Sequence, residues 1–161
     1  MTDIASIKKG ELAHADKEQV FVTVYIDDQL FGIPVEKVQD ILIPSGIADI
    51  PLAPNEIAGA INLRGRIVTV IDIRKRLELP PSEKSENMCT TVEYGEDLYS
   101  LKVDNIGAVI TLPLSKIEDV PGTMNPRWQS ISKGVVQLEK ELMLVLDIDS
   151  LFKENSKNHS A

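Results

Sequence analysis

The chain has 161 residues, of which 43% are apolar and 26% charged, and its formal net charge at pH 7 is −8. A surface of that charge repels phosphate backbones and anionic membranes, so nucleic acid is a poor candidate partner. Cys89 is the only cysteine, which excludes an internal disulfide and a cysteine-based metal site.

The chain begins with a polar segment followed by a predicted β-hairpin. Residues 1–18 lack the apolar run of a signal peptide, and we expect them to form a flexible N-terminal segment. VFVTVYI (20–26) and QLFGIPV (29–35) are rich in β-branched and aromatic residues, and the Asp-Asp pair between them predicts a turn. VEKVQDIL (35–42) has apolar residues at helical spacing, which predicts one or two turns of helix.

A second hairpin ends the first half of the chain. Residues 42–59 contain three prolines and two glycines, which predict a strand broken by loops. AINLRGRIVTVIDI (60–73) predicts two strands joined at Arg64-Gly65, where the glycine supplies the positive φ that a two-residue turn needs. RKRLEL (74–79) then predicts a short helix.

A break at LPPSEKSEN (79–87) separates the halves, because paired prolines and charges cannot join a hydrogen-bonded ladder. The same order of elements then restarts. The predicted elements are a hairpin at 88–103, a helical turn at 103–106, a strand at 107–112, a crossover at 113–126, a hairpin at 131–148, a short helix at 149–152 and a flexible tail at 153–161.

Two segments of the first half recur in the second half. LFGIPVEKVQDI (30–41) aligns with LYSLKVDNIGAV (98–109) at an offset of 68, and NLRGRIVTVIDI (62–73) aligns with QLEKELMLVLDI (137–148) at an offset of 75. Two echoes in the same order indicate that each half is the same supersecondary unit. Because about five short strands bury little core alone, we predict an all-β fold of two small barrels packed together.

These segments resemble the CheW family of chemotaxis coupling proteins. The resemblance covers about residues 19–152, and its most specific part is INLRG followed by a strand and an Asp-Ile-Arg triplet. It implies a single domain of two pseudo-symmetric five-stranded SH3-like barrels with short connecting helices. The first barrel is expected mainly within 29–78 and the second mainly within 88–148, with an exchange of terminal strands left open.

The resemblance also implies a function without catalysis, cofactor or metal. Family members join the cytoplasmic tips of methyl-accepting chemotaxis receptors to the regulatory domain of the CheA histidine kinase, and they form rings in receptor arrays. The expectation is therefore a cytoplasmic adaptor at the inner face of the membrane, with no insertion into it. The alternative within this class is an adaptor of a non-flagellar chemosensory pathway, such as twitching motility.

The family's binding positions carry over to nine residues of this sequence. The kinase-facing region corresponds to Val35, Val38, Asp40 and Gly59. The receptor-facing groove between the barrels corresponds to Arg64, Met88, Ser100, Leu101 and Val109. Two positions depart from the family pattern: Asp40 stands where many members have Glu, and Ala108 stands where an acidic residue is common.

Some polar and glycine positions also have structural interpretations. Arg64 can clamp a partner's carboxylate through two hydrogen bonds, or hold Asp72 or another acid within the chain. Gly65 is assigned to the tight turn. Asp72 and Asp147, at equivalent strand ends, predict helix caps, and Trp128 predicts a packing residue in the crossover.

Two functions from other classes are weighed against the adaptor. An enzyme needs a nucleophile with a base, a phosphate-binding loop or a metal-ligand cluster, and the sequence contains no such pattern. A barrel that binds nucleic acid needs a basic groove with aromatic platforms, whereas this chain is acidic and only 4% aromatic.

Overall fold

The computed structural model describes residues 17–44, 46–81 and 88–152, so most of the two predicted terminal segments lies outside the described residues. Ten strands are β1 (Glu18–Ile26), β2 (Gln29–Pro34), β3 (Val38–Leu42), β4 (Ile57–Leu63), β5 (Arg66–Asp72), β6 (Met88–Tyr94), β7 (Asp97–Val103), β8 (Asn105–Pro113), β9 (Ser132–Gln137) and β10 (Leu142–Leu146). The helices are α1 (Ile73–Arg76), α2 (Pro126–Gln129), the 3-10 turns Val35–Lys37 and Leu114–Lys116, and a helix over 148–152. None of the helices in these described ranges is long and apolar enough to cross a membrane.

The strands form two five-stranded sheets, which confirms the all-β prediction. Sheet A has the order β8-β1-β2-β10-β9, and sheet B has the order β3-β6-β7-β5-β4. Each of the strands β1 to β5 has its counterpart five strands later, so β1 corresponds to β6 and β5 to β10. Exchanging every strand for its counterpart converts one order into the other. The duplication predicted from the two sequence echoes is therefore confirmed by the topology.

Each sheet takes strands from both halves of the chain. β1 and β2 lie in sheet A with β8, β9 and β10, whereas β6 and β7 lie in sheet B with β3, β4 and β5. More strands are exchanged between the two halves than the predicted barrels of 29–78 and 88–148 allow. The cause is that the chain crosses between the sheets at the turn Val35–Lys37 and at Asp104, and not at the break over 79–87.

Both sheets are bridged across their edges, as closure into a barrel requires. Beyond β3, Ala48 exchanges two backbone hydrogen bonds of 2.8 and 2.9 Å with Ala60 of β4. Beyond β8, Glu118 makes the equivalent pair of 2.8 Å bonds with Val135 of β9. The bridging segments ADIPLAPN and EDVPGTMN are a further echo, because both carry Asp, Pro and Asn at the same places.

The buried apolar side chains form three clusters. The largest draws on both sheets and lies between them, with Phe31, Ile71, Leu101 and Leu144 among its members. Two smaller clusters belong to one sheet each. They are Phe21, Leu30, Val136, Met143 and Val145 in sheet A, and Ile61, Val68, Val70 and Cys89 in sheet B. The sheets therefore share their main core, and Cys89 is buried within β6.

One predicted helical segment is correct only in part, and another is wrong. Residues 35–42 form one 3-10 turn and then β3, and the turn predicted at 103–106 is replaced by the start of β8 at Asn105. In β3 the half-buried residues Val38 and Leu42 alternate with exposed neighbours, and the strand pairs antiparallel with β6. Cross-strand pairing therefore outweighs the helical spacing of the apolar residues.

Three other structural predictions are confirmed. Asp72 accepts a hydrogen bond from the backbone N–H of Lys75 and caps α1, and Asp147 accepts one from Ser150 at the start of the last helix. Trp128 packs its ring edge-on against Phe31, with 5.4 Å between ring centroids.

Gly59 is required by the closure of sheet B. It is buried in β4 with a φ of 147°, and an added Cβ would collide with the carbonyl oxygen of Ala48 and lie 2.6 Å from Cγ2 of Ile47. We expect Gly59→Ala to lower the free energy of unfolding by on the order of 3 kcal/mol, because it adds backbone strain to a clash at the bridge.

Urea denaturation measures this loss, and Gly65→Ala is its matched control. Gly65 also has positive φ, 85°, but open space where a Cβ would point. The control is therefore expected to cost only about 1 kcal/mol. Equal losses in the two variants would contradict a role for Gly59 in closing the sheet.

Candidate functional site

The hairpin between β4 and β5 presents Arg64 at its turn. Arg64 has a φ of 53° and Gly65 a φ of 85°, and the side chain of Asn62 accepts a 2.9 Å hydrogen bond from the Gly65 N–H. Positive φ at both central residues is the geometry of a tight two-residue hairpin turn. The turn therefore holds the Arg64 side chain out from the sheet, where 76% of it is exposed.

Arg64 forms an ion pair with Asp40. Its Nη2 lies 2.9 Å from Oδ2 of Asp40, whose side chain is 22% exposed. Asp72, the internal partner considered from sequence, instead lies 3.8 Å from Nζ of Lys102. Because β3 and β4 are the outer strands of sheet B, the Asp40–Arg64 pair joins the two edges of that sheet.

The pair brings together residues that the family resemblance assigns to different partners. Asp40 belongs to the predicted kinase-facing region and Arg64 to the predicted receptor-facing groove, yet their side chains are in contact. An ion pair this exposed contributes only about 0–1 kcal/mol to stability. Its main effect is therefore to orient two charged groups at the surface.

The other predicted kinase-facing residues differ in exposure. Val35, in the turn between sheets A and B, is 40% exposed. Val38 is half-buried and packs against the main core. Gly59 is buried at the bridge to Ala48 and can act on a partner only through the shape of the sheet.

The predicted receptor-facing residues are not brought together at one surface. Ser100 and Leu101 are 0% and 1% exposed, because β7 is the central strand of sheet B and both its faces are covered. Met88 is half-buried against the main core. Val109, on β8 of sheet A, is 60% exposed and is the one apolar member of this group that is open to solvent.

An apolar groove of about 430 Å³ lies beside the β4–β5 hairpin. It is lined by Gly46, Ile47, Ala48, Ala60, Ile61, Asn62 and Ile67. Ile67 is 75% exposed, and Ile43, just before this wall of the groove in the chain, is 68% exposed. Large exposed apolar side chains grouped in this way mark an interaction surface. We call these lining residues, with Ile43, the apolar face.

None of the residues of the apolar face is among the binding residues predicted from the sequence. Ile67 has the same strand parity as Ile71, which is buried in the main core, so alternation alone predicts that both are buried. Ile67 is exposed because it lies at the hairpin end, beyond the part of β5 that the main core covers. No pattern in the sequence therefore marks Ile67 as exposed.

The described residues hold no group of three His, Cys, Asp or Glu side chains that could bind a metal ion. The surface around the β4–β5 hairpin combines the apolar groove with the Asp40–Arg64 ion pair. An apolar centre bordered by charged groups is the usual anatomy of a protein–protein interface.

Comparisons with known proteins agree with this architecture. The family model of the CheW-like domain matches residues 20–156. The chemotaxis protein CheW of Bacillus subtilis is 31% identical over 156 residues, covering 96% of this chain and 95% of the relative. The CheW protein of Thermotoga maritima is 26% identical over 143 residues, covering 89% and 93%.

A solved structure is similar as well. The crystal structure of the scaffolding protein TtCheW from Thermoanaerobacter tengcongensis matches with a TM-score of 0.75 and 26% identity, covering 84% of this chain and 92% of that one. The family model covers most of the chain, a relative exceeds 30% identity over nearly its whole length, and the fold agrees. The chain therefore belongs to the CheW-like family.

Proposed function

We propose that this protein is a non-enzymatic adaptor of chemotaxis, which joins a CheA-type histidine kinase to the cytoplasmic tips of chemoreceptors. Its family supports this proposal, because the relatives in Bacillus subtilis and Thermotoga maritima are named chemotaxis proteins and the similar solved structure is a scaffolding protein. The observation that carries it is the apolar face beside the Asp40–Arg64 pair. The adaptor would work in the cytoplasm, at receptor arrays on the inner face of the membrane.

The kinase's regulatory domain is assigned to sheet B. The apolar face supplies a surface whose burial would drive binding, and Asp40 and Arg64 supply charges that fix its orientation. Val35 and Ile41, which are 40% and 38% exposed, lie close to Asp40 in the chain and offer two further exposed apolar side chains. Gly59 contributes by keeping the groove wall in place.

The receptor's helical tip is assigned to the surface around Val109 on sheet A. Ala108 and Val109 are both exposed on β8, so this surface is apolar and lacks the carboxylate common in the family. An amphipathic helix buries its apolar stripe against a surface of that kind. Ser100 and Leu101 are buried in sheet B, so they would act on this contact only through the packing of the fold.

Weak contacts of this kind suffice when they act together. A micromolar contact corresponds to about −8 kcal/mol. In an array, each adaptor is held by several neighbours, and the effective concentration of one site near another supplies the remaining stability. Self-association into rings is part of this proposal.

Calorimetric titration with the regulatory domain of the CheA-type kinase from the same organism tests the kinase contact. We expect a dissociation constant in the micromolar range for the wild type, and at least about a tenfold loss for Ile67→Asp, because a charge enters the apolar centre.

The matched control for this titration is Glu139→Lys. Glu139 is the counterpart of Arg64 in the other repeat and is exposed at the turn between β9 and β10 of sheet A. It is expected to leave the affinity unchanged. Absence of binding by the wild type, or equal losses in Ile67→Asp and Glu139→Lys, would contradict the assignment of the kinase to the apolar face.

A further inference from the structure

Arg74 connects the two sheets through a forked pair of hydrogen bonds. It lies in α1, directly after β5 of sheet B, and its Nε and Nη2 donate to Oδ1 and Oδ2 of Asp104, each at 2.7 Å. Asp104 lies between β7 and β8, where the chain passes from sheet B to sheet A. Nη2 also lies 3.3 Å from Oδ1 of Asp27, in the turn between β1 and β2 of sheet A.

Further hydrogen bonds close this network. Asp104 accepts a 2.7 Å hydrogen bond from the backbone N–H of Asp27, and its own N–H donates to the carbonyl of Tyr25 at 3.0 Å. Nη1 of Arg74 donates to the carbonyl of Pro80 at 2.6 Å. The Arg74 and Asp104 side chains are only 14% and 15% exposed. The hydrogen bonds to Asp104 raise the pKa of Arg74. A guanidinium that donates to both oxygens of one carboxylate is held in a fixed orientation.

We call the boundary between the sheets at Arg74 and Asp104 the first seam. The duplication creates an equivalent boundary, the second seam, at which this network is missing. At the repeat offsets of 68 and 75, Asp27 corresponds to Gly95, Asp104 to Glu36 and Arg74 to Asp149. An acidic residue therefore stands where Arg74 stands in the first seam. That place is an open cleft of about 480 Å³, whose lining includes Gly95, Asp149 and Lys37. One seam between the sheets is closed by an arginine, and its counterpart is open.

We propose that Arg74 is a positioning residue that sets the angle between sheets A and B. The core between the sheets is apolar, and apolar burial has no preferred direction. The forked contact with Asp104 does have one, and it acts at the point where the chain crosses between sheets. Arg74 thus fixes the spacing between the apolar face on sheet B and Val109 on sheet A. The consequence for signalling rests on the proposed function, but the angle does not.

Pulsed electron paramagnetic resonance on the full chain measures the angle. Spin labels are placed at Arg66→Cys on β5 and Thr111→Cys on β8, two exposed positions in different sheets, and the native Cys89 is 0% exposed and escapes labelling. We expect one narrow distance distribution for the parent protein. Arg74→Lys, which keeps the charge but lacks the fork, is expected to shift the distribution or make it about twice as broad.

A charge-swapped pair supplies the rescue. Arg74→Asp combined with Asp104→Arg restores an opposite pair across the same seam and is expected to narrow the distribution again, whereas Asp104→Asn alone is expected to broaden it. Circular dichroism selects folded variants, and Arg74→Lys carries the test if the swap does not fold. A folded Arg74→Lys protein with the parent's distance and width would overturn the proposal.

A functional measurement separates this proposal from the adaptor function. Arg74→Lys is expected to bind the isolated kinase regulatory domain as the wild type does, while kinase stimulation in the complex with receptor falls several-fold. Equal stimulation by the two proteins would overturn the link between the angle and signalling. If the wild type fails to bind the kinase domain, the proposed function fails, and the spin-label distances still decide the role of Arg74.

Discussion

Phe31→Ala is expected to lower the free energy of unfolding by about 3–5 kcal/mol and to destabilise both sheets together. Phe31 is 0% exposed in β2 of sheet A, and it belongs to the cluster that lies between the sheets. Its removal leaves a cavity in the core that both sheets share, and Trp128 loses the ring against which it packs. Since small domains have only about 5–15 kcal/mol of stability, this is a large part of the total.

Urea denaturation followed by two probes measures this effect. Trp128 is the only tryptophan and reports on the packing between the sheets, while far-ultraviolet circular dichroism reports on the strands. Both probes are expected to give one coincident transition in wild type and variant. Val109→Ala, at a 60% exposed position, is the control and should change stability by less than about 0.5 kcal/mol. Two separate transitions would contradict a shared core.

Asp40→Lys is expected to weaken binding of the kinase regulatory domain by at least about 30-fold, or ~2 kcal/mol. The substitution removes an anion from the border of the apolar face and places a second cation beside Arg64. Because an exposed ion pair adds little to stability, the variant should remain folded. Calorimetric titration gives the affinity, and thermal unfolding verifies the fold.

The reversed pair distinguishes two roles for these charges. Asp40→Arg combined with Arg64→Asp restores an internal ion pair of opposite direction, and it is expected to fold normally without regaining wild-type affinity. Recovery of the affinity would mean that the pair acts only by shaping the surface. Unchanged affinity in Asp40→Lys would contradict the placement of Asp40 in the kinase contact.

Local sequence signals predicted most of the hairpins. Gly65 and the Asp27-Asp28 pair favour turns through their own backbone preferences, and both turns are found with positive φ. The echoes between the two halves likewise predicted the duplicated topology, because equivalent strands keep the same apolar pattern.

The sequence did not predict which distant strands pair with each other. The parallel pairs β2–β10 and β5–β7 and the antiparallel pairs β1–β8 and β3–β6 join strands from different halves, and no local pattern specifies a partner so far along the chain. The spacing of apolar residues in β3 predicted a helix, and only the pairing of β3 with β6 makes it a strand. The sheet composition therefore differs from the predicted barrels, and β3 was not predicted as a strand, while the other strands lie where the sequence predicted them.

The candidate site was likewise predicted only in part, because local signals do not show which distant residues come into contact. The family resemblance identified Asp40 and Arg64, which are 24 residues apart, but their contact depends on the closure of sheet B. Resemblance could not indicate that Ser100 and Leu101 are buried, because burial depends on what covers β7. The exposure of Ile67 likewise depends on where the main core ends.

Reconstitution of the three-component complex tests the adaptor function most directly. Membrane vesicles that carry a chemoreceptor from the same organism are mixed with its CheA-type kinase, with and without this protein, and then sedimented. We expect the amount of kinase in the pellet and its autophosphorylation rate both to rise when the wild-type protein is added, and we expect Asp40→Lys to abolish the rise. Kinase recruitment that is the same with and without the protein would contradict the adaptor function.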